Sequence, residues 1–364
     1  MWLLYLIACL PIIFWAVMYY RDRQLVWWEW AGAVAAGFLV AAIFHYLAVF
    51  SMVVDTETWS GEVVSGTHYP RWVEEYTEQH SRTYTDSKGH SHTKHWTTTE
   101  HRTHPEHWAC NDTFNREIEI TSDFFEEVRQ RFNNLTTETP FKSGFDSGDR
   151  HTYVSYNKTG FIYPVTDWRT FENRVKAAPS VFSYVKVPKD IPIFSYPANS
   201  NLWQSDRLVG VAKQSMHILL WDQMNSRLGP AHKVNVIAVG FASPDTTLSQ
   251  YQEAAWIGGK KNDLVITYGG PDPRHPIWAR TFGWTEREIV KRNLDTIFLE
   301  HAVDDNILPL VEREIRANYQ IKDWHKFDYL TVEPPGWSYL VLLIVMAGAQ
   351  GGLWWWANRN EWGR

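Results

Sequence analysis

The densest chemistry in the sequence is imidazole. His80, His90, His92, His95, His101, His104 and His107 all lie between positions 80 and 107. Imidazole nitrogens bind Zn²⁺, Cu²⁺ or Ni²⁺ and titrate near neutral pH. Residues 79–86 and 90–98 alternate like strands and flank Ser87-Lys88-Gly89, a hairpin turn signal. His90 and His92 then share one strand face. A two-residue turn at Lys88-Gly89 pairs Arg82 with His95 and sets His80 diagonal to it. His80, His90, His92 and His95 are thus the candidate ligands for a divalent metal such as Zn²⁺. The spacing matches no HExxH-type signature. The competing readings are a pH-sensing hairpin and a solvated His/Thr-rich hairpin that makes surface contacts.

A second set of candidates lies further along. Ser243, Asp245 and Thr246 follow one buried-strand pattern; Gly269, Gly270 and Asp272 follow another. In open α/β sheets ligands sit outside the carboxyl ends of strands. Asp245 and Asp272 would suit a hard cation such as Ca²⁺ there, as a metal-assisted phosphatase requires. Turn and cap chemistry explains the same residues. Gly258-Gly259-Lys260-Lys261 lacks the Walker spacing. His107 lies three residues before Cys110, a conceivable Cys–His pair.

These residues need elements to position them, and the elements divide the chain. Residues 1–20, 26–54 and 337–356 are apolar runs of the length a helix needs to cross about 30 Å of hydrocarbon. The reading is three transmembrane helices. Trp27, Trp28, Trp30, Trp337, Trp354, Trp355 and Trp356 bracket them as interfacial anchors, which accounts for part of the 21 tryptophans. Arg21 and Arg23 in one flank, and Arg359 and Arg364 in the other, place residues 21–25 and the C-terminus in the cytoplasm. Residues 55–336 are then extracytoplasmic. Ala33-x-x-x-Gly37 and Gly348-x-x-x-Gly352 permit close helix approach, within the chain or in a homo-oligomer. His45 and Gln350 are polar groups at depth, suited to helix–helix hydrogen bonds.

The extracytoplasmic segment is mildly acidic, and the whole chain carries −6. No basic field points to nucleic acid. Two cysteines exclude a disulfide framework. The fold class is α+β or α/β. Residues 55–205 form a β-rich, His-rich lobe: short strands at 57–64, 68–76, 116–121 and 151–157, a helix capped by Ser122, and a Pro-rich connector at 179–205. Residues 206–333 form a layered α/β lobe. It has a helix over 206–228 stopped by Gly229-Pro230, strands at 233–241, 263–268 and 277–284, a helix at 246–256, a capping box at Thr285–Glu288, and a helix at 306–319.

The stretch from about 206 to 320 resembles the TPM family of membrane-anchored α/β modules, which includes photosystem II repair proteins. The carrying residues are VNVIAVGF, TTLSQYQEAAWIGGKKNDLVITY, WARTFGW and VKRNLDTIFLEHAVDDNILPLVEREI. GGPDPRHP replaces a shorter turn of the family. The resemblance implies a phosphatase, a metal binder, or most commonly a module for assembly or repair of membrane complexes. The whole arrangement, with NRVKAAPSVFSYVKVP at 173–188, also resembles uncharacterised membrane proteins of tailed phages and their bacterial hosts. The function expected is binding and assembly in the cell envelope, with the lipid bilayer and other envelope proteins as partners. A metal-dependent phosphatase is the alternative.

Overall fold

The structure is a computed structural model. It describes residues 2–21, 27–132, 136–140, 151–178, 185–197 and 205–359. These fall into two compact units. The first comprises Met1–Thr56, Thr170–Lys186 and Asp323–Arg364; the second comprises Glu57–Arg169 and Val187–Lys322. The architecture is mixed α+β with several sheets.

The first unit is built on three apolar helices: α1 (Trp2–Arg21), α2 (Trp27–Val53) and α10 (Gly336–Arg359). Stretches of two of them, Ala31–Val53 and Gly336–Trp356, are long and apolar enough to cross a membrane. The apolar stretch described in α1, Leu6–Met18, is shorter. Ile7, Ala8, Ala41, Leu342 and Met346 form the shared core. Gln350 ties the helices together: it accepts from the Trp15 indole at 2.7 Å and donates to the Ala33 carbonyl at 3.3 Å. Ala33 and Gly37 are used inside the chain in this way, with Gly37 against Pro11. His45 differs, for its Nδ1 is buried with no partner among the described residues. Trp337, Trp354, Trp355 and Trp356 are exposed. The Trp27, Trp28 and Trp30 side chains lie outside the described residues, as do the flanks bearing Arg23 and Arg364.

The second unit holds two larger sheets and a ribbon. A six-stranded sheet has the order β5-β4-β1-β7-β6, with β8 also on β1. Its strands are β1 (Val54–Tyr69), β4 (His107–Asp112), β5 (Glu117–Ile120), β6 (Thr136–Pro140), β7 (His151–Tyr156) and β8 (Pro164–Glu172). Helix α3 (Ser122–Arg131) lays Phe124, Phe125 and Val128 onto this sheet, against Val63, Cys110 and Val165. The Thr121 hydroxyl caps the helix, accepting from the Phe124 N–H, so the cap falls one residue before the expected Ser122. The expected runs at 57–64 and 68–76 become long strands: β1, and β2 (Trp72–Thr85), which pairs only with β3 (Ser91–His104). Residues 164–172 are strand, and only Arg174–Ala177 (α4) is helical in the 167–178 region. Of the Pro-rich connector, residues 179–184 and 198–204 lie outside the described residues.

The other sheet has the order β12-β11-β10-β9. β9 (Leu208–Gly210), β10 (Asn235–Phe241) and β11 (Asp263–Gly269) run parallel; β12 (Trp278–Gly283) is antiparallel to β11. Every residue of β10 and β11 is buried, as a parallel sheet covered on both faces requires. Val236, Ala238, Leu264 and Ile266 face α6 (Ile218–His232), α8 (Ile289–Glu300) and α9 (Leu308–Asn318). Ile237, Val239, Phe241 and Val265 face α7 (Thr247–Ala255) and the segment around Phe194.

The expected single helix at 206–228 is overturned. It divides into β9, the short α5 (Ala212–Ser215) and α6. Nor does Gly229-Pro230 stop α6, which runs to His232 and ends where Lys233 turns left-handed. The Thr285 hydroxyl donates to the Gln320 carbonyl, and α8 starts at Ile289.

Candidate functional site

The ribbon β2–β3 places the histidines. Its turn is closed by the Asp86 N–H donating to the His90 carbonyl at 2.8 Å, with Gly89 left-handed at φ 85°. The loop therefore holds three residues, as in a type I turn followed by a left-handed glycine. Arg82 faces Lys94, and Ser81 faces His95. This corrects the expected Arg82–His95 pairing. A one-residue shift flips a strand's side chains, so His95 lies on the face opposite His80 and His92. His80 stacks on Trp96 with ring centres 5.4 Å apart, and its Nε2 meets the Thr98 hydroxyl at 2.8 Å. The His80 and His92 rungs stand four residues apart, roughly 14 Å along the strand. His90 and His92 do approach one another: their rings lie 3.5 and 3.1 Å from one Asp86 oxygen. The His90 N–H, then the His92 ring, hold the Asp86 carboxyl below its usual range. The four candidate ligands thus form one close pair and two separate rings. Among the described residues no three His, Cys, Asp or Glu side chains are grouped to hold a metal.

At the strand ends, Asp245 and Asp272 each serve their own loop. Asp245 Oδ1 accepts from the Thr247 N–H at 2.9 Å and the Thr247 hydroxyl at 2.7 Å. Asp272 accepts from the Arg274 N–H at 2.9 Å and meets the His275 ring at 2.9 Å. These local bonds hold both carboxyls low, chiefly the Thr247 hydroxyl for one and the His275 ring for the other. The Trp278 indole lies against Gly269 beside them and donates to the Ser243 carbonyl at 3.0 Å. The loop at Lys260 is a turn: its N–H donates to Asp263 at 2.7 Å. Cys110 is fully buried, and burial pushes its thiol up to about 12. The His107 ring stacks on Tyr69.

A concave site that the sequence did not reveal lies in the second unit. It is a cleft of about 290 Å³ whose polar lining includes Glu127, Arg131, Tyr163, Asp206 and Asp222, with Ile218 and Leu219 among its apolar walls. Helix α3 supplies Glu127 and Arg131; α6 supplies Asp222. Burial pushes the Asp222 carboxyl up, against the pull of Arg207 behind it. Burial, then a hydrogen bond to Glu127, pushes the Tyr163 phenol up.

Arg207 is fully buried and makes four contacts. It donates to Asp222 at 2.6 Å, Asn235 at 2.7 Å, Thr166 at 3.1 Å and the Ser60 hydroxyl. Asn235 continues the chain to Asp263 at 2.8 Å, which also accepts from the Tyr196 hydroxyl at 2.8 Å. A polar network therefore runs from Asp222 in the cleft to the first residues of β10 and β11. The charge of Asp206, also in the cleft lining, adds to the upward shift of Asp222. The sequence signal was an isolated Asp222 between Trp221 and Met224 on an apolar helix, with Arg207 just before a buried strand.

Comparison with protein-family models, curated proteins and solved structures gives no match. The chemistry of the chain therefore rests on its own residues.

Proposed function

We propose that the chain is a membrane-anchored protein that acts by binding and assembly at the cell envelope. The anchoring follows from the apolar helices, read as three spans (1–20, 26–54, 337–356) in an inner or plasma membrane. Residues 55–336 are read as extracytoplasmic and residues 206–333 as a TPM-like module, in an envelope shared with other membrane proteins or, in a phage, that of its host. The observation that carries the binding reading is the ribbon. Not one residue of β2 or β3 is buried, and 14 rungs pair across it. A two-stranded ribbon stabilises no core, so its retention is explained by what it contacts. The phosphatase alternative finds less support, because Asp245 and Asp272 are engaged in their own loops.

The ribbon leaves and rejoins the six-stranded sheet at one rung, Tyr69 opposite His107. Pro70–Glu106 is therefore replaceable by Asn-Gly, a tight hairpin turn. Pull-down of the full-length protein from native membranes is expected to recover envelope partners that the excised variant loses. Recovery of the same set by both proteins would overturn the reading.

Orientation has its own measurement. Lys88→Cys, in a Cys9→Ser background, is expected to react with a membrane-impermeant maleimide on intact cells. Labelling only after lysis would reverse the topology.

A further inference from the structure

The ribbon's free edge has a definite polarity. The Asp86–His90 backbone bond fixes the ladder, so even-numbered residues of β2 aim their N–H and C=O groups at β3. The odd-numbered ones, from Val73 to Thr85, aim theirs outward. Even-numbered side chains share one face, which reads Trp72, Glu74, Tyr76, Glu78, His80, Arg82 and Tyr84 along β2. An aromatic or imidazole ring recurs at every fourth position. Between the rings the charge is acidic near the sheet and basic near the turn. Arg82 lies directly opposite Lys94, a like-charge rung, and neither has an acidic partner among the described residues. Such a rung is unfavourable by itself.

We infer that a second copy of this chain docks on the β2 edge, antiparallel, about a two-fold axis through Glu78. The inference deepens the binding reading above and rests on the ribbon being the binding element. Away from the axis, where the two Glu78 carboxylates form a like-charge pair, the charge order of β2 is self-complementary in this register. Glu74 of each copy meets Arg82 of the other, Tyr76 meets His80, and Trp72 meets Tyr84. The outward-aiming residues then exchange the backbone bonds: Val73 with Thr83, Glu75 with Ser81, Thr77 with Gln79. The even-numbered pairs fall at non-hydrogen-bonded positions, where opposing side chains are closest. Neighbouring registers lose the match. An axis through Thr77 sets Arg82 against Trp72, and one through Gln79 sets it against Tyr76. An axis through His80 pairs Arg82 with Glu78 but brings Glu74 against Asp86. The two Glu78 carboxylates meet on the axis, each with its own His80 Nε2 at 3.9 Å. The product is a four-stranded sheet, β3-β2-β2-β3, with isologous contacts as a two-fold dimer demands.

The test uses the full-length protein in lipid nanodiscs or detergent, with Cys9→Ser throughout. Glu78→Cys places its two sulfurs on the axis, at about 4.5 Å between Cα atoms, within disulfide range. Mild oxidation is expected to give a covalent dimer at Glu78→Cys and little at Lys94→Cys on the far strand. Glu74→Arg or Arg82→Glu alone removes two pairs and is expected to weaken dimerisation about tenfold. The double variant Glu74→Arg/Arg82→Glu restores it, which a folding defect would not do. Absence of the Glu78→Cys dimer, a stronger one at Thr97→Cys on the β3 edge, or failure of the double swap to restore dimerisation would overturn the inference. If the crosslink fails while the excised variant still loses its envelope partners, the partner is a different chain and the binding reading stands. If both fail, the reading falls as well.

Discussion

Arg207→Met is expected to destabilise the full-length protein by about 3–5 kcal/mol, read as a lowered thermal midpoint in detergent and faster proteolysis. The side chain is fully buried and donates to Asp222, Asn235, Thr166 and Ser60. Removing it leaves a buried carboxylate with no counter-charge, and leaves the Ser60 and Thr166 hydroxyls with only their mutual contact at 3.3 Å. The sign of the pH effect follows. Burial already raises Asp222 in the native protein, and the loss of Arg207 raises it further. The folded state then binds a proton that the unfolded chain gives up near its ordinary value, so stability falls as pH rises. The variant is expected to be weaker in alkali than in mild acid. Arg207→Met/Asp222→Leu removes both charges and is expected to recover much of the loss. Equal stability of single variant and parent would show that the network contributes nothing.

Gly229→Ala is expected to be as damaging, and in the direction opposite to helix propensity. Alanine in place of glycine within a helix ordinarily stabilises by about 1 kcal/mol. Here a Cβ on Gly229 would lie 1.9 Å from the Ser60 carbonyl oxygen of β1. The obstacle is backbone of a paired strand and cannot swing aside. Overpacking of this kind costs about 3 kcal/mol or more, by displacing α6 from β1. The measurement is the same thermal midpoint together with the yield of folded protein. An unchanged or raised midpoint would mean that helix and strand separate freely.

Both substitutions strike one junction, and it explains what the sequence could and could not reveal. β10 and β11 were legible as short, nearly continuous apolar runs bounded by turn residues, and β12 as a strand although Arg280 and Thr281 interrupt its apolar residues. The stretch 206–228 was not, because Leu208, Val211, Ser215 and Leu219 satisfy a helical period by coincidence, while Leu208–Gly210 pairs with β10. The ribbon's existence was legible at Ser87-Lys88-Gly89. Its register hung on whether two or three residues turn, and that single residue decides the face of His95. Of the cleft only Asp222 left a trace, as a lone carboxyl on an apolar helix. Glu127, Tyr163, Asp206 and Asp222 are distant in sequence and share no spacing; only the packing of α3 and α6 brings them together.

Gln350 has a consequence for biosynthesis. It accepts from Trp15, 335 residues earlier, and donates to Ala33. At 5–20 residues per second the ribosome takes roughly 20–70 s between the two ends of the first bond. Through that interval the first two helices wait without their clasp. The first unit draws on the start, the middle and the end of the chain. A chain stopped before α10 lacks Gln350, so Trp15 and Ala33 have no clasp until that helix has been made.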